Sequence, residues 1–417
     1  MKRLIIVRLR ESRKSDRSLP VTAQLRSKFF INIGGPQGHG HSVEEHVEKI
    51  TGYFRFLPVT ARLRRGVAAF ALLGAACMAL GQSPEKIIFN TDSGPFNDDG
   101  VALVMLLQSP SKVAIQGITV VPGNVWALQG AEYMLAHVKM MNRADIPVFV
   151  GAEAPLVHTA AIAKAAAEKF GKQAYIGAFA EPPPRTHDDL KKPFYGFSGL
   201  ESQTKNAVDF IIETVERNPG RITFLEIGPM TNLAMALRIK PDLETKIKRL
   251  VFMGGSVHAA GNSNRTAEFN FWFDPEAAQI VLRSRIPVKV MFGLDVCNHA
   301  PLPPALFREI IAAKTPVTKI YAEDFGKSPY PAFLTDHPQP AFLWDELAAG
   351  YLIDPSFAAK PESMYLDVDT RFSADYGRVI PLDRKLAPDA TPVQVMLDLD
   401  AAKAYALYRD LLMKAVK

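Results

Sequence analysis

The sequence predicts an α/β domain with a mostly parallel central sheet flanked by helices. Two observations carry that prediction. Short β-branched and apolar runs alternate with longer segments of helical pattern, and strands separated by helices pair in parallel through crossovers. The runs also end in polar or glycine residues: Asp92, Asn124, Gly228, Gly254 and Asp295. Ligands of open α/β sheets bind outside the carboxyl ends of the strands, so residues spread over about 200 positions are expected in one pocket.

The elements follow in chain order. "KIIFNTD" (86–92) is the first strand, and Gly94 and Pro95 then force a turn. Asp98 and Asp99 open a helix over 99–108, where its dipole favours carboxylates. "VAIQGITVV" (113–121) is the second strand, followed by a helix over 126–141, and "IPVFVG" (146–151) is the third. The stretch 188–203, "DDLKKPFYGFSGLESQ", is aromatic, Pro/Gly-punctuated and without period, as expected of a mobile lid. Further on, a helix over 204–217 precedes "ITFLEIG" (222–228), and a helix over 231–239 precedes "RLVFMGG" (249–255). A helix over 275–284 precedes "VKVMFGLD" (288–295). All these runs read as buried strands.

The chain has 417 residues, 48% of them hydrophobic and 22% charged, which describes a globular protein. The net charge of +6 misleads, because residues 1–81 hold 14 Lys/Arg against 5 Asp/Glu. The rest carries more acids than bases, so no nucleic-acid footprint is expected there. Arg62, Arg64 and Arg65 precede an apolar run from Val67 to Leu80. That run is short for a bilayer span and reads as a secretory signal over 61–81, cleaved after Gly81. A periplasmic or secreted protein with no stable membrane anchor after cleavage follows from it. Residues 1–60 stand before the signal as an extension, or upstream of a true start near Leu57 or Val59. The working domain is 82–417. Only Cys77 and Cys297 are present, and cleavage leaves Cys297 alone, so no disulfide framework or thiolate cluster is expected.

Crowding Asp92, Asp98 and Asp99 into one turn requires positive charge between them. Carboxylates at this density suit a hard, oxygen-liganded cation such as Ca²⁺ or Mg²⁺. No HExxH or CxxC supports zinc. No GxGxxG, GxxxxGK[ST] or G-x-S-x-G follows a strand, which removes dinucleotide, P-loop and serine-hydrolase readings. Asn90 stands where an aspartyl-phosphate nucleophile would stand.

"NTDSGPFNDDG" (90–100) resembles the D-T-D-x-G-x-x-x-D-D opening of the inosine-uridine-preferring nucleoside hydrolases. The likeness continues in order through "GITVVPGNV" (117–125), "IPVFVGAEAPL" (146–156) and "LEIGPMTNLAMAL" (225–237). It extends through "VFMGGSVHAAGNSNRTAEFNFWFDPEAA" (251–278) and "FLWDELAAGYLIDP" (342–355), and so covers essentially all of 85–417.

The resemblance implies the open, Rossmann-like nucleoside hydrolase fold. It implies calcium-dependent cleavage of the N-glycosidic bond of a small-molecule ribonucleoside, giving base and ribose. Asp92, Asp99, Asp345 and the Ile227 carbonyl would hold Ca²⁺, with Asp92 as general base. Asp98, Asn124, Glu268 and Asn270 would hold ribose hydroxyls, with Met253 and Asn262 near the 5′ side. Many members carry a His before the late Asp, whereas this chain has Trp344, as in the purine-specific branch. Trp344 would stack on the base, so purine nucleosides are the favoured substrates. Phe194, Tyr195 and Phe197 are candidates for a second aromatic, and His158, His187, His258 and His299 for a leaving-group acid. Asn90 departs from the family's first Asp. A homodimer or homotetramer is implied as well. The alternative is a secreted nucleoside- or sugar-binding protein that keeps the calcium pocket without turnover.

Overall fold

A computed structural model describes residues 83–327, 342–359 and 361–416. The expected extension (1–60) and signal (61–81) lie outside the described residues. Among the described residues, no helix is long and apolar enough to cross a membrane.

All six expected strands form: β1 (Glu85–Thr91), β2 (Val113–Val120), β3 (Val148–Val150), β4 (Ile222–Glu226), β5 (Arg249–Met253) and β6 (Lys289–Phe292). They pair in parallel in the order β3-β2-β1-β4-β5-β6. The chain starts in the middle of the sheet, runs outward to β3, and returns to the other side at β4. This reversal leaves a crevice beyond the ends of β1 and β4, where such sheets bind ligands.

Continuous apolar strands make sense here because both faces are covered. Side chains alternate across the sheet. Ile87 and Phe89 join one core, with α1 (Asp98–Leu107) and α2 (Ala127–Met140). Ile88 joins the other, with α4 (Ala207–Arg217), α5 (Thr231–Ile239) and α8 (Pro275–Leu282). Between these lie α3 (Ala160–Phe170), the short α6 (Leu243–Lys246) and α7 (Phe269–Phe273). Asn206 caps α4 by accepting from Val208 N, and Asp274 caps α8 by accepting from Ala277 N.

The last third of the chain completes the first core. It adds α9 (Leu294–Cys297), α10 (Pro304–Ala312), α11 (Pro316–Lys327), α12 (Asp345–Ile353) and α13 (Ala401–Leu412). α12 packs on α1, which is buried on nearly every side. Cys297 is free and buried. Beyond the sixth strand the sheet also gains β10 (Val393–Val395), parallel to β6. β8 (Glu362–Val368) and β9 (Val379–Leu382) then continue it antiparallel. β7 (Ala358–Ala359) and β11 (Asp398–Leu399) form a separate small ribbon.

The stretch 188–203 lies against α2. Lys191 N donates to Gln129 Oε1 at 2.7 Å, and Lys139 Nζ to the Ser198 carbonyl at 2.6 Å. Tyr195 Oη donates to the Pro95 carbonyl at 2.6 Å, which ties this stretch to the acidic turn.

Candidate active site

Asp92 leaves the end of β1, and Asn124 follows β2 on the neighbouring strand. Asn124 N donates to Asp92 Oδ2 at 2.7 Å. The other oxygen, Oδ1, is buried with no hydrogen-bond partner. Asp99, in the first turn of α1, accepts from Thr91 Oγ1, from Asn97 Nδ2 at 2.8 Å and from Asn124 Nδ2 at 3.3 Å. Asp345 enters from the start of α12. Carboxylate oxygens of Asp98, Asp99 and Asp345 lie within 4.8 Å of one another. Asp98, which the resemblance assigned to the sugar, thus also faces the acidic cluster, with Asp92 alongside.

So many acids in one place should resist ionisation, and they do. Burial first, then the Asp99 charge, lifts Asp98 to about 8. Burial lifts Asp99 to about 6, against hydrogen bonds from Thr91 and Asn97. Asp92 and Asp345 are driven well above the usual carboxylate range, by burial and then by neighbouring aspartates. Glu346, beside Asp345, is raised for the same reasons. An unpartnered Asp92 oxygen, an all-oxygen donor set and mutually repelling carboxylates are what a hard divalent cation compensates. These residues therefore fit such an ion.

The remaining expected residues line the ends of β4 and β5. Asn270 Nδ2 donates to the carbonyls of Ile227 and Met253, both at 3.2 Å. Glu268 caps α7: Asn270 N donates to its Oε1 at 2.8 Å and Gly255 N to its Oε2 at 2.7 Å. Burial raises its carboxyl to about 7. Asn262 Oδ1 accepts from Phe269 N at 2.8 Å. Glu268 and Asn262 therefore shape the 261–270 loop as well as line it. Trp344 is half-buried at the start of α12, with its ring 6.0 Å from that of Phe342. Its Nε1 is buried without a hydrogen-bond partner.

Of the four histidines, His158 is buried and engaged away from the acidic cluster. His158 sits among the rings of Trp272, Tyr376 and Phe179, donates to the Trp272 carbonyl, and is held down to about 4 by burial. His187 lies 3.9 Å from Glu132, and His299 lies 3.8 Å from Asp398. His258 donates its backbone N–H to Asp295.

Two residues escaped the sequence reading. Glu226 faces Asn90 across the β1–β4 pairing and accepts a hydrogen bond from its amide. Thr119 Oγ1 and Asn232 Nδ2 donate to Asn90 Oδ1 at 2.7 and 2.9 Å. The asparagine that departs from the family pattern is thus matched by a buried carboxylate on the next strand. The departure at position 90 was the available signal. The other residue is Tyr175, whose hydroxyl donates to Asn124 Oδ1 at 3.0 Å.

Close backbone approach fixes Asp92. A Cβ at Gly123 would lie 2.0 Å from Asp92 Oδ2. Gly123→Ala therefore displaces the carboxylate, and the catalytic efficiency of the site falls about 100-fold, since a misplacement near 1 Å costs that much. Steady-state kinetics beside circular dichroism checks this. A folded variant with wild-type kinetics would refute the tight placement of Asp92.

Known proteins resemble this chain over most of its described length. The model of the inosine-uridine preferring nucleoside hydrolase family matches residues 87–406. A pyrimidine-specific ribonucleoside hydrolase of Escherichia coli is 30% identical over 317 residues, covering 76% of this chain and 93% of that protein. Among solved structures, a purine-preferring ribonucleoside hydrolase from Gardnerella vaginalis is 27% identical with a TM-score of 0.64. It covers 79% of this chain and 98% of its own. A plant nucleoside hydrolase superposes with a TM-score of 0.66 at 23% identity, covering 79% and 99%, and bears on the fold alone.

Proposed function

The chain belongs to the inosine-uridine preferring nucleoside hydrolase family, a family of N-glycosyl hydrolases acting on ribonucleosides, and we propose on that footing a calcium-dependent enzyme that prefers purine nucleosides. The observation that carries the reading is the pair of Asp92 oxygens: one held by Asn124 N–H, the other buried and unpartnered beside Asp98, Asp99 and Asp345.

Asp92, Asp98, Asp99, Asp345 and the Ile227 carbonyl are the groups that would hold the ion. Bound calcium supplies the positive charge that keeps these carboxylates ionised and makes water more acidic. Asp92 takes the proton from the attacking water as general base. Asp98, Asn124, Glu268 and Asn270 orient the sugar, with Met253 and Asn262 toward its 5′ side. Orientation of this kind supplies several kcal/mol. As that water adds at C1′, the C1′–N bond breaks through an oxocarbenium-like state, as in glycoside hydrolysis, and the base leaves with the bonding pair and takes a proton from solvent.

Support for purine preference is the placement of Trp344 next to Asp345. Indole N–H is a donor but no acid near neutral pH. Its ring can stack on a base, worth about 0.5–1.5 kcal/mol beyond burial. The named relatives point both ways, one pyrimidine-specific and one purine-preferring. Trp344→Ala is expected to cut kcat/KM for inosine about tenfold and to affect an activated nitrophenyl riboside less. Equal losses on the two substrates would make Trp344 structural.

The test of the whole reading is ribose release by residues 82–417, with inosine, adenosine, guanosine, uridine and cytidine, each with and without EDTA. Metal-dependent release from purines supports it. Release from pyrimidines alone removes the purine preference, and binding without release identifies a nucleoside-binding protein. We further propose a periplasmic or secreted homodimer or homotetramer. Fractionation and light scattering check this.

A further inference from the structure

Tyr175 reaches the site from the stretch between α3 and the 3-10 turn Gly177–Ala180. Its hydroxyl donates to Asn124 Oδ1, and its ring lies 4.7 Å from that of Phe269, tilted by 56°. The backbone around it is fastened to two site loops. Ala174 N donates to the Ser263 carbonyl at 2.8 Å, and Ser263 Oγ donates to the Tyr175 carbonyl at 2.7 Å. Ala178 N donates to the Gly123 carbonyl at 2.8 Å. Gly177, with φ of +51°, makes that approach possible, because a Cβ there would lie 2.2 Å from the Gly123 oxygen. Tyr175 is thus tied both to the loop carrying Asn124 and to the loop carrying Asn262 and Glu268.

Despite these ties, Tyr175 is 41% exposed, so core packing does not account for it. Its hydroxyl has a clear effect on Asn124. A carboxamide has one accepting and one donating end, and a carboxylate only accepts. Asn124 Nδ2 donates to Asp99 Oδ2 while Oδ1 receives the phenol proton. Asp99 therefore selects the amide orientation, and the phenol bonds the amide oxygen that this orientation presents and holds it in place. Without the phenol, one of the two constraints disappears.

We propose that Tyr175 is a positioning residue that fixes the Asn124 amide for the sugar and thereby sets selectivity for intact ribose over deoxyribose. The proposal rests on the nucleoside hydrolase reading. A site built to hydrogen-bond a hydroxyl rejects the analogue that lacks it, and the rejection weakens when the bonding group is free to turn.

The test compares wild type with Tyr175→Phe, which keeps the ring, in the calcium-loaded full chain. Turnover and calorimetric affinity are measured for inosine, 2′-deoxyinosine and 3′-deoxyinosine. Tyr175→Phe is expected to lower kcat/KM for inosine about tenfold, with a smaller loss on at least one deoxy analogue, so that discrimination narrows. A role in folding alone would lower all three equally and would overturn the proposal, as would unchanged ratios. In both cases wild-type turnover leaves the hydrolase reading standing. If wild type binds ribosides without turnover, the hydrolase reading falls, and a narrowed ribose-to-deoxyribose affinity ratio in Tyr175→Phe still supports the positioning role. Neither binding nor turnover overturns both.

Discussion

Asp92→Asn lowers kcat by about 10²–10⁴-fold, the usual worth of a positioned general base. The substitution keeps the shape of the side chain and an oxygen to accept from Asn124 N, so the fold and the sugar contacts persist. It also removes a carboxyl whose ionisation the fold opposes, since burial and then the nearby Asp99 and Asp98 raise it. The metal-free variant should therefore melt higher than metal-free wild type, while the loaded variant is inactive. Kinetics and paired melting curves decide the matter. Activity within tenfold of wild type would exclude Asp92 as the base.

Metal removal gives the second large effect. EDTA abolishes turnover and lowers Tm, because a ligand present at 100 times its Kd stabilises by about 2.7 kcal/mol. It also exposes the titration of the acidic cluster. Asp98, Glu268 and Asp99 have folded values of about 8, 7 and 6, all raised by burial first. Unfolded carboxylates titrate near 4, so between these limits the folded metal-free chain holds protons that the unfolded chain releases. The contribution of these three carboxyls to metal-free stability is greatest at the acidic end and is lost as pH rises from about 4 through about 8, opposed below about pH 6 by the buried imidazoles of His137 and His158, which burial holds down to about 4. Calcium reverses this trend, since its ligands must be deprotonated and its affinity rises with pH. Melting curves between pH 5 and 8, with calcium and with EDTA, test the sign. A metal-free Tm that climbs with pH, or turnover that survives complete metal removal, would break the calcium reading.

The parallel half of the sheet was legible because its strands are apolar runs, and those at β1, β2, β4 and β5 each precede a segment of helical pattern. β8 and β9 were not, because they are half-exposed strands with mixed residues, β9 at the sheet's edge, and β10 is three residues long. α3, "AAIAKAAAEKF", is alanine-rich and mostly exposed, so it carries little amphipathic signal. Motif order brought Asp92, Asp98, Asp99, Asn124, Asn270 and Asp345 to one end of the sheet. It gave Asp98 to the sugar, whereas the structure brings its carboxylate, like that of the adjacent Asp99, within 4.8 Å of Asp345. Glu226 and Tyr175 act through partners 136 and 51 positions away, and no local pattern encodes such pairings.

The position of Asp345 has a kinetic consequence. The acidic turn is made early in the chain, and α12 delivers the remaining carboxylate about 250 residues later, closing a loop whose entropy grows only slowly with length. An ion held by Asp98, Asp99 and Asp345 would act as a reversible crosslink between the two ends of the parallel sheet's sequence. With it bound, α12 could not peel away from α1 without breaking the clasp. Proteolysis of the folded chain is then expected to slow as calcium is added, which limited digestion with and without EDTA checks.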